Sequence, residues 1–305
     1  MSMSVRELQV EPVELDLPAN ELGEGPIWLA DRSELVWVDI QRGQVHLADP
    51  LTGRARTLEL GERVGALAPT TAGGLVVATA TGFVHLDPDT GRIRRLANFE
   101  PADPTVRMND GKADPWGSFW AGTMGLDKRP GAGNLYRLDP DLQLTLVQPD
   151  VTISNGLDWT DDRATMYFVD TPTQRIDQFT VADGGRDIAD RRPFVHLPRE
   201  QGTPDGLTVD AEGRVWLAIW GGSAVRCFSP SGELEAIIRL PTTHVTSCTF
   251  GGPNLDDLYI TSAQSELTAE QLAAEPLAGR VFHCRPGATG RPAFRFDDSL
   301  ARSRP

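Results

Sequence analysis

Short apolar runs broken by turn residues dominate this chain, and long amphipathic helical patterns are nearly absent. In "EQGTPDGLTVDAEGRVWLAIWGG", residues 200–222, valine and tryptophan alternate with polar residues around a "DAEG" turn, as in a β-hairpin. The same alternation elsewhere predicts an all-β protein. Two stretches depart from it. "SELTAEQLAAEPLAG" reads as a short helix, with Ser265 as its N-cap and Pro276 ending it. "GLDKRPGAG" lengthens a loop and is placed to fold over one face.

Strand starts recur at "GEGPIW", "RVGALAP", "RMNDGKA", "SNGLDW", "TPDGLTV" and "TSCTFGG", opening six units of about four short strands each. An outer turn repeats from unit to unit as "DPLTG", "DPDTG", "DPDL", "SPSG" and "RPGATG". Asp or Ser before Pro starts such a turn, and glycine supplies the positive φ near its end. The residues preceding the glycine shared by the first five units are Glu24, Val64, Asp110, Asn155 and Asp205, at separations of 40, 46, 45 and 50. Four-stranded units at this period are propeller blades. The expected fold is one six-bladed β-propeller domain over residues 1–305, with blades at about 22–60, 63–99, 107–150, 153–197, 202–241 and 244–296. The N-terminal "VEPVELDLP" is left over as a strand that closes the ring against the last blade.

Composition adds limits. At 305 residues, 40% hydrophobic and 24% charged, the chain can bury a large core and reads as a soluble globular protein. A net charge of −14 argues against nucleic-acid and anionic-membrane partners. It tolerates a cation at one focused acidic site. No signal peptide or bilayer-length apolar run is evident, so a cytoplasmic location is expected. Cys227, Cys248 and Cys284 are odd in number and far apart, as buried reduced core residues would be. The five histidines are scattered and read as structural, and the seven tryptophans recur at blade strands as core, with one or two free to floor a pocket. No G-x-S-x-G elbow, His cluster or dinucleotide fingerprint is present.

The innermost strand of each propeller blade lines a central channel, so equivalent positions become neighbours around one axis. At the pre-glycine position this chain places Glu24, Asp110, Asn155 and Asp205. Asp-Gly and Asn-Gly are common turn dipeptides; Glu-Gly-Pro is not, and turn chemistry does not explain an oxygen-bearing side chain before the glycine in four of the units. Converging carboxylates repel one another unless a cation sits between them. Oxygen ligands suit Ca²⁺, Mg²⁺ or Mn²⁺, with Zn²⁺ or Fe²⁺ also possible.

"LGEGPIW", "RMNDGKADPWGSFWAGTMG", "ISNGLDWTDD", "PDGLTVDAEGRVWLA" and "TSCTFGG", followed by "AGRVF", together resemble the senescence marker protein/regucalcin/gluconolactonase family, in order from about residue 20 to about 296. The resemblance implies a six-bladed propeller that binds one divalent metal and hydrolyses an aldonic acid lactone, such as a gluconolactone or pentonolactone. It implies Glu24, Asn155 and Asp205 as metal ligands, with Asp205 also the general acid/base. It further implies Arg107 and Asn109 as holders of sugar hydroxyls, with Asp110 behind the ligands. Asp127 stands near the place of a family Glu, with a shorter reach, and is expected to read sugar hydroxyls with Arg107 and Asn109. Two other readings share this sequence: a metal-dependent propeller esterase or phosphotriesterase, and a non-catalytic calcium-binding propeller. A ring of axial carboxylates is unexplained in a propeller that works only through its rim.

Overall fold

The computed structural model describes residues 5–13, 15, 17–99 and 104–300. Their strands form six sheets. In the first, Gly23–Leu29, Glu34–Asp39, Gln44–Ala48 and Ala55–Glu59 follow one another as an antiparallel meander. The other innermost strands are Val64–Pro69, Val106–Ala113, Ser154–Trp159, Thr203–Val209 and Val245–Gly251. Each packs on its successor, and Val245–Gly251 returns to Gly23–Leu29, so the sheets close a ring as a six-bladed β-propeller. These strands are almost wholly buried because both faces meet neighbouring blades. Burial on both faces means that their polar residues, Asn155 and Asp205 among them, are interior as well.

Turn chemistry follows the residues. Asp49 and Asp87 accept the backbone N–H two residues on, at 2.9 Å each, while Gly53 and Gly91 adopt φ of +72° and +70°. A second device recurs in blades three and five. Asp114 and Asp210 each accept backbone N–H groups of the following turn and the indole N–H six residues on, from Trp120 at 2.8 Å and Trp216 at 2.9 Å. The "DAEG" aspartate is thus a brace between turn and core.

The N-terminal residues divide between two sheets. Glu11–Pro12 pairs antiparallel with Phe282–Cys284 as the outermost strand of blade six, and Val13 N–H donates to Val281 O at 2.9 Å. Arg6–Gln9 runs parallel to Leu234–Arg239 and adds a fifth strand to blade five. Within "VEPVELDLP", Leu15 and Leu17 pack beside Trp28 and Trp37; Glu14 and Asp16 lie outside the described residues. The inserted helix is shorter than its sequence pattern suggests, Ala269–Ala274, and is capped by Thr268 rather than Ser265. Thr268 and Gln271 form a reciprocal capping box, which satisfies two N-terminal donors at once. Ser265 instead presents its carbonyl to His244 Nδ1 at 2.9 Å. Cys227, Cys248 and Cys284 are buried and unpaired. No helix among the described residues is long and apolar enough to cross a membrane.

Candidate active site

Each innermost strand carries a register shift near its start: between Glu24 and Ile27, Val64 and Ala66, Met108 and Gly111, Ser154 and Leu157, Pro204 and Leu207, and Val245 and Ser247. A bulge re-aims the side chain it contains. Here it contains Asn155 and Asp205 and directly follows Glu24, which still pairs with Val38; Glu24, Asn155 and Asp205 all line one cavity of about 620 Å³ at the end of the channel. The following glycines serve closeness more than turn formation. A Cβ on Gly156 would stand 2.6 Å from Leu207 N, and one on Gly111 would stand 2.5 Å from Trp120 O. Only Gly25 in this set has a positive φ, +52°.

Glu24 and Asp205 are buried, with their carboxyl groups close enough to interact directly. Burial, then the nearby Asp110, pushes the Glu24 carboxyl up to about 8. Burial, then Glu24 and Asp110, holds Asp205 well above the usual carboxylate range. Asp205 Oδ1 has no hydrogen-bond partner. Asp110 is likewise raised by burial, to about 6, and its Oδ1 accepts Gly111 N–H at 2.7 Å. It does not line the cavity and lies on Val106–Ala113, farther along than Arg107 and Asn109. Beyond it, Lys112 Nζ donates to Asp158 at 3.1 Å, and Arg291 donates to the same carboxylate at 2.6 Å. This ion cluster closes the opposite end of the channel and holds the Asp158 carboxyl below its ordinary value despite burial.

Arg107 and Asn109 also line the cavity, and their contacts run toward Asn155. Arg107 Nη1 donates to Asn109 Oδ1 at 2.5 Å and to Met108 O at 2.9 Å. Asn109 Nδ2 donates to Ser154 O at 2.6 Å and to Asn155 Oδ1 at 2.8 Å. Asn109 has thereby spent both amide hydrogens and retains one acceptor site. Burial lowers the Arg107 guanidinium to about 10, which leaves it charged at neutral pH. Asp127 is placed elsewhere. Its side chain is 58% exposed, faces Arg129 at 3.7 Å, and is absent from the cavity wall. Its neighbours Leu126 and Lys128 are in that wall, and Lys128 pairs with Glu266 of the blade-six insertion across the mouth.

One wall residue, Thr171, escaped the sequence reading, and a second, Trp220, was only one of seven candidates in it. Thr171 follows the second strand of blade four and bonds Asn155 Nδ2 at 2.8 Å. A threonine in "VDTPTQ" carries no signal of this, since the contact depends on how a turn returns to the first strand. Trp220 lines the cavity with one ring face stacked on His244, centroids 3.9 Å apart and planes 11° apart. It is the one tryptophan of the seven in the wall.

Glu24, Asp205 and Asn155 offer oxygen donors of the kind a hard divalent cation takes. Among the described residues, no three His, Cys, Asp or Glu side chains form a metal cage by themselves; the candidate set is two carboxylates and an amide. The fit rests on the carboxylates. Two acids buried face to face, one with an orphaned oxygen, are costly as anions unless a cation neutralises them.

Residues 22–264 match the family model described as the SMP-30/gluconolactonase/LRE-like region, a span containing all three candidate ligands. The chain is 37% identical over 269 residues to a 6-deoxy-6-sulfogluconolactonase of Pseudomonas putida, across 88% of this chain and 92% of that one. It is 36% identical over 291 residues to a pentonolactonase of Haloferax volcanii, across 92% and 96% of the two chains. Among solved structures, a calcium-binding protein, regucalcin, from Agrobacterium tumefaciens superposes with a TM-score of 0.91 at 29% identity, across 96% and 99% of the chains.

Proposed function

This chain belongs to the SMP-30/gluconolactonase/LRE-like family, and on that premise we propose that it is a carboxylic ester hydrolase opening the ring of an aldonic acid lactone with the help of one divalent cation. The observation that carries the reading is the buried Glu24–Asp205 pair at the end of a cavity that also holds a buried arginine. Sugar-lactone activity in the named relatives supports the substrate class.

Glu24, Asn155 and Asp205 would hold the cation, which when bound supplies Lewis-acid polarisation of the ester carbonyl. Asp205 acts as the base. Its carboxylate takes a proton from water as the water oxygen bonds to the carbonyl carbon. It returns that proton to the ring oxygen as the ester C–O bond breaks. The proton it takes in the first transfer is the one it gives as acid in the second. Arg107 donates to hydroxyls of the sugar, and Asn109 accepts at most one more hydrogen bond there. Trp220 offers an apolar face to a sugar ring's C–H groups.

The test is hydrolysis of a panel of aldonolactones by chelator-treated protein, with Ca²⁺, Mn²⁺, Mg²⁺ or Zn²⁺ added singly. Activity restored by an ion on hydroxylated lactones supports the reading. Equal turnover with and without every ion would remove the cation from it, and turnover confined to aromatic esters would change the substrate class.

A further inference from the structure

Asn155 can serve a cation only with its oxygen turned inward, because its other end carries two N–H donors that a cation repels. The side chain of an asparagine can rotate to exchange the two ends at little cost in shape, so something must decide between them. We propose that Thr171 is the positioning residue that fixes this orientation, an inference that rests on the metal-site reading above.

The Thr171 hydroxyl has a single proton, and it donates that proton to Pro204 O at 2.9 Å. Toward Asn155 it can therefore only accept, and it accepts from Nδ2 at 2.8 Å. Reversing the amide would set an oxygen against a hydroxyl with no proton left to give. It would also set an NH₂ group against Asn109 Nδ2, which donates to the present oxygen at 2.8 Å. The whole chain runs in one direction, from the Arg107 guanidinium through Asn109, Asn155 and Thr171 to the Pro204 carbonyl. One end can only donate and the other can only accept, so each end imposes the same sense on Asn155. Thr171 is itself held in place, since its N–H donates to Ile153 O at 3.1 Å. Pro204 immediately precedes Asp205, so this hydroxyl also ties the blade-four ligand to the backbone that carries the blade-five ligand.

The experiment compares Thr171→Val, which keeps shape without the hydroxyl, with Thr171→Ser, which keeps the hydroxyl without the methyl. Titration calorimetry with CaCl₂ and with MnCl₂ reads affinity, and thermal unfolding of the metal-free proteins reads packing. The expected result is a loss of ~10–100-fold in affinity for Thr171→Val, as for other residues that orient a metal ligand. Thr171→Ser should stay within about threefold of wild type. Wild-type affinity in Thr171→Val would overturn the proposal, and so would an equal loss in both variants, which would assign the effect to the methyl group. If Thr171→Val does not fold, Thr171→Ala takes its place, with loss in Ala and retention in Ser as the supporting pair. Failure of the wild-type protein to bind either ion would instead overturn the metal-site reading, and this inference with it.

Discussion

A carboxylic acid in water ionises near pH ~4, yet burial and their neighbours hold Glu24 at about 8 and Asp205 well above the usual range. Asp205 is the residue on which chemistry and binding are hardest to separate. Asp205→Asn keeps a ligand oxygen but removes the base, so kcat at saturating metal should fall ~10²–10⁴-fold, with calorimetry still detecting metal. Retention of more than a few per cent of kcat would make Asp205 a ligand only. Asn109 has an expected signature of its own. Because its amide donates to Asn155 Oδ1, Asn109→Ala should weaken metal affinity as well as raise KM. Asp127→Ala, by contrast, should alter kcat and KM by no more than about twofold, as for an exposed surface substitution. A larger KM effect would show that the 125–133 loop closes over substrate.

Strand and bulge geometry turn scattered residues into a site. Each innermost strand is bulged near its start, with Asn155 and Asp205 inside their bulges and Glu24 just before its own, and all three side chains reach one cavity. Gly156 and Gly206, beside Asn155 and Asp205, let adjacent strands approach closely. A methyl group on Gly156 would press on the Leu207 amide and the Asp205 carbonyl, 2.6 and 2.7 Å away. Gly156→Ala should therefore destabilise the protein by ~1–3 kcal/mol, seen as a lower Tm, and should disturb metal affinity by moving Asp205. An unchanged Tm would mean that the strands can separate without penalty. The outer edges matter as well. Arg6–Gln9 and Glu11–Pro12 complete blades five and six, so removal of residues 1–13 should lower Tm while leaving the cavity residues in place.

Across the whole molecule, the concentration of buried acid at one end of the channel links stability to pH. Glu24 and Asp205 have folded pKa values above their unfolded values. The folded state thus holds protons that the unfolded state has released, and stability falls as pH rises through the folded values. His46, lowered to about 4 by burial, acts in the opposite sense but only below its unfolded value of 6.5. Between about pH 7 and about pH 8.5 the acid pair therefore governs, and metal-free protein should lose Tm across that window. Added Ca²⁺ or Mn²⁺ should raise Tm more at the upper end than at the lower, because ions and protons compete for the same oxygens. A flat metal-free profile would show that these acids ionise freely.

How much of this was legible in the chain follows from what is local. Blade number, the outer Asp-Pro turns and the candidate positions of Glu24, Asn155 and Asp205 could be read directly. Each unit repeats its own hydrogen-bonding and burial problem at a period of 40 to 50 residues, and propeller symmetry converts equal places in the repeat into neighbours in space. Features that depend on where one segment returns to another could not be read. Thr171 meets Asn155 across a turn, Arg6–Gln9 finds the edge of blade five, and Asp127 faces outward while Lys128 beside it reaches Glu266. Reading Ser265 as the cap failed because the reciprocal Thr268–Gln271 pair satisfies more donors. Sequence by itself determined the repeat and which residue types stand at its equivalent positions. Tertiary structure alone decided which way those side chains point and what holds them there, because orientation is set by hydrogen-bond partners supplied from other strands and other blades.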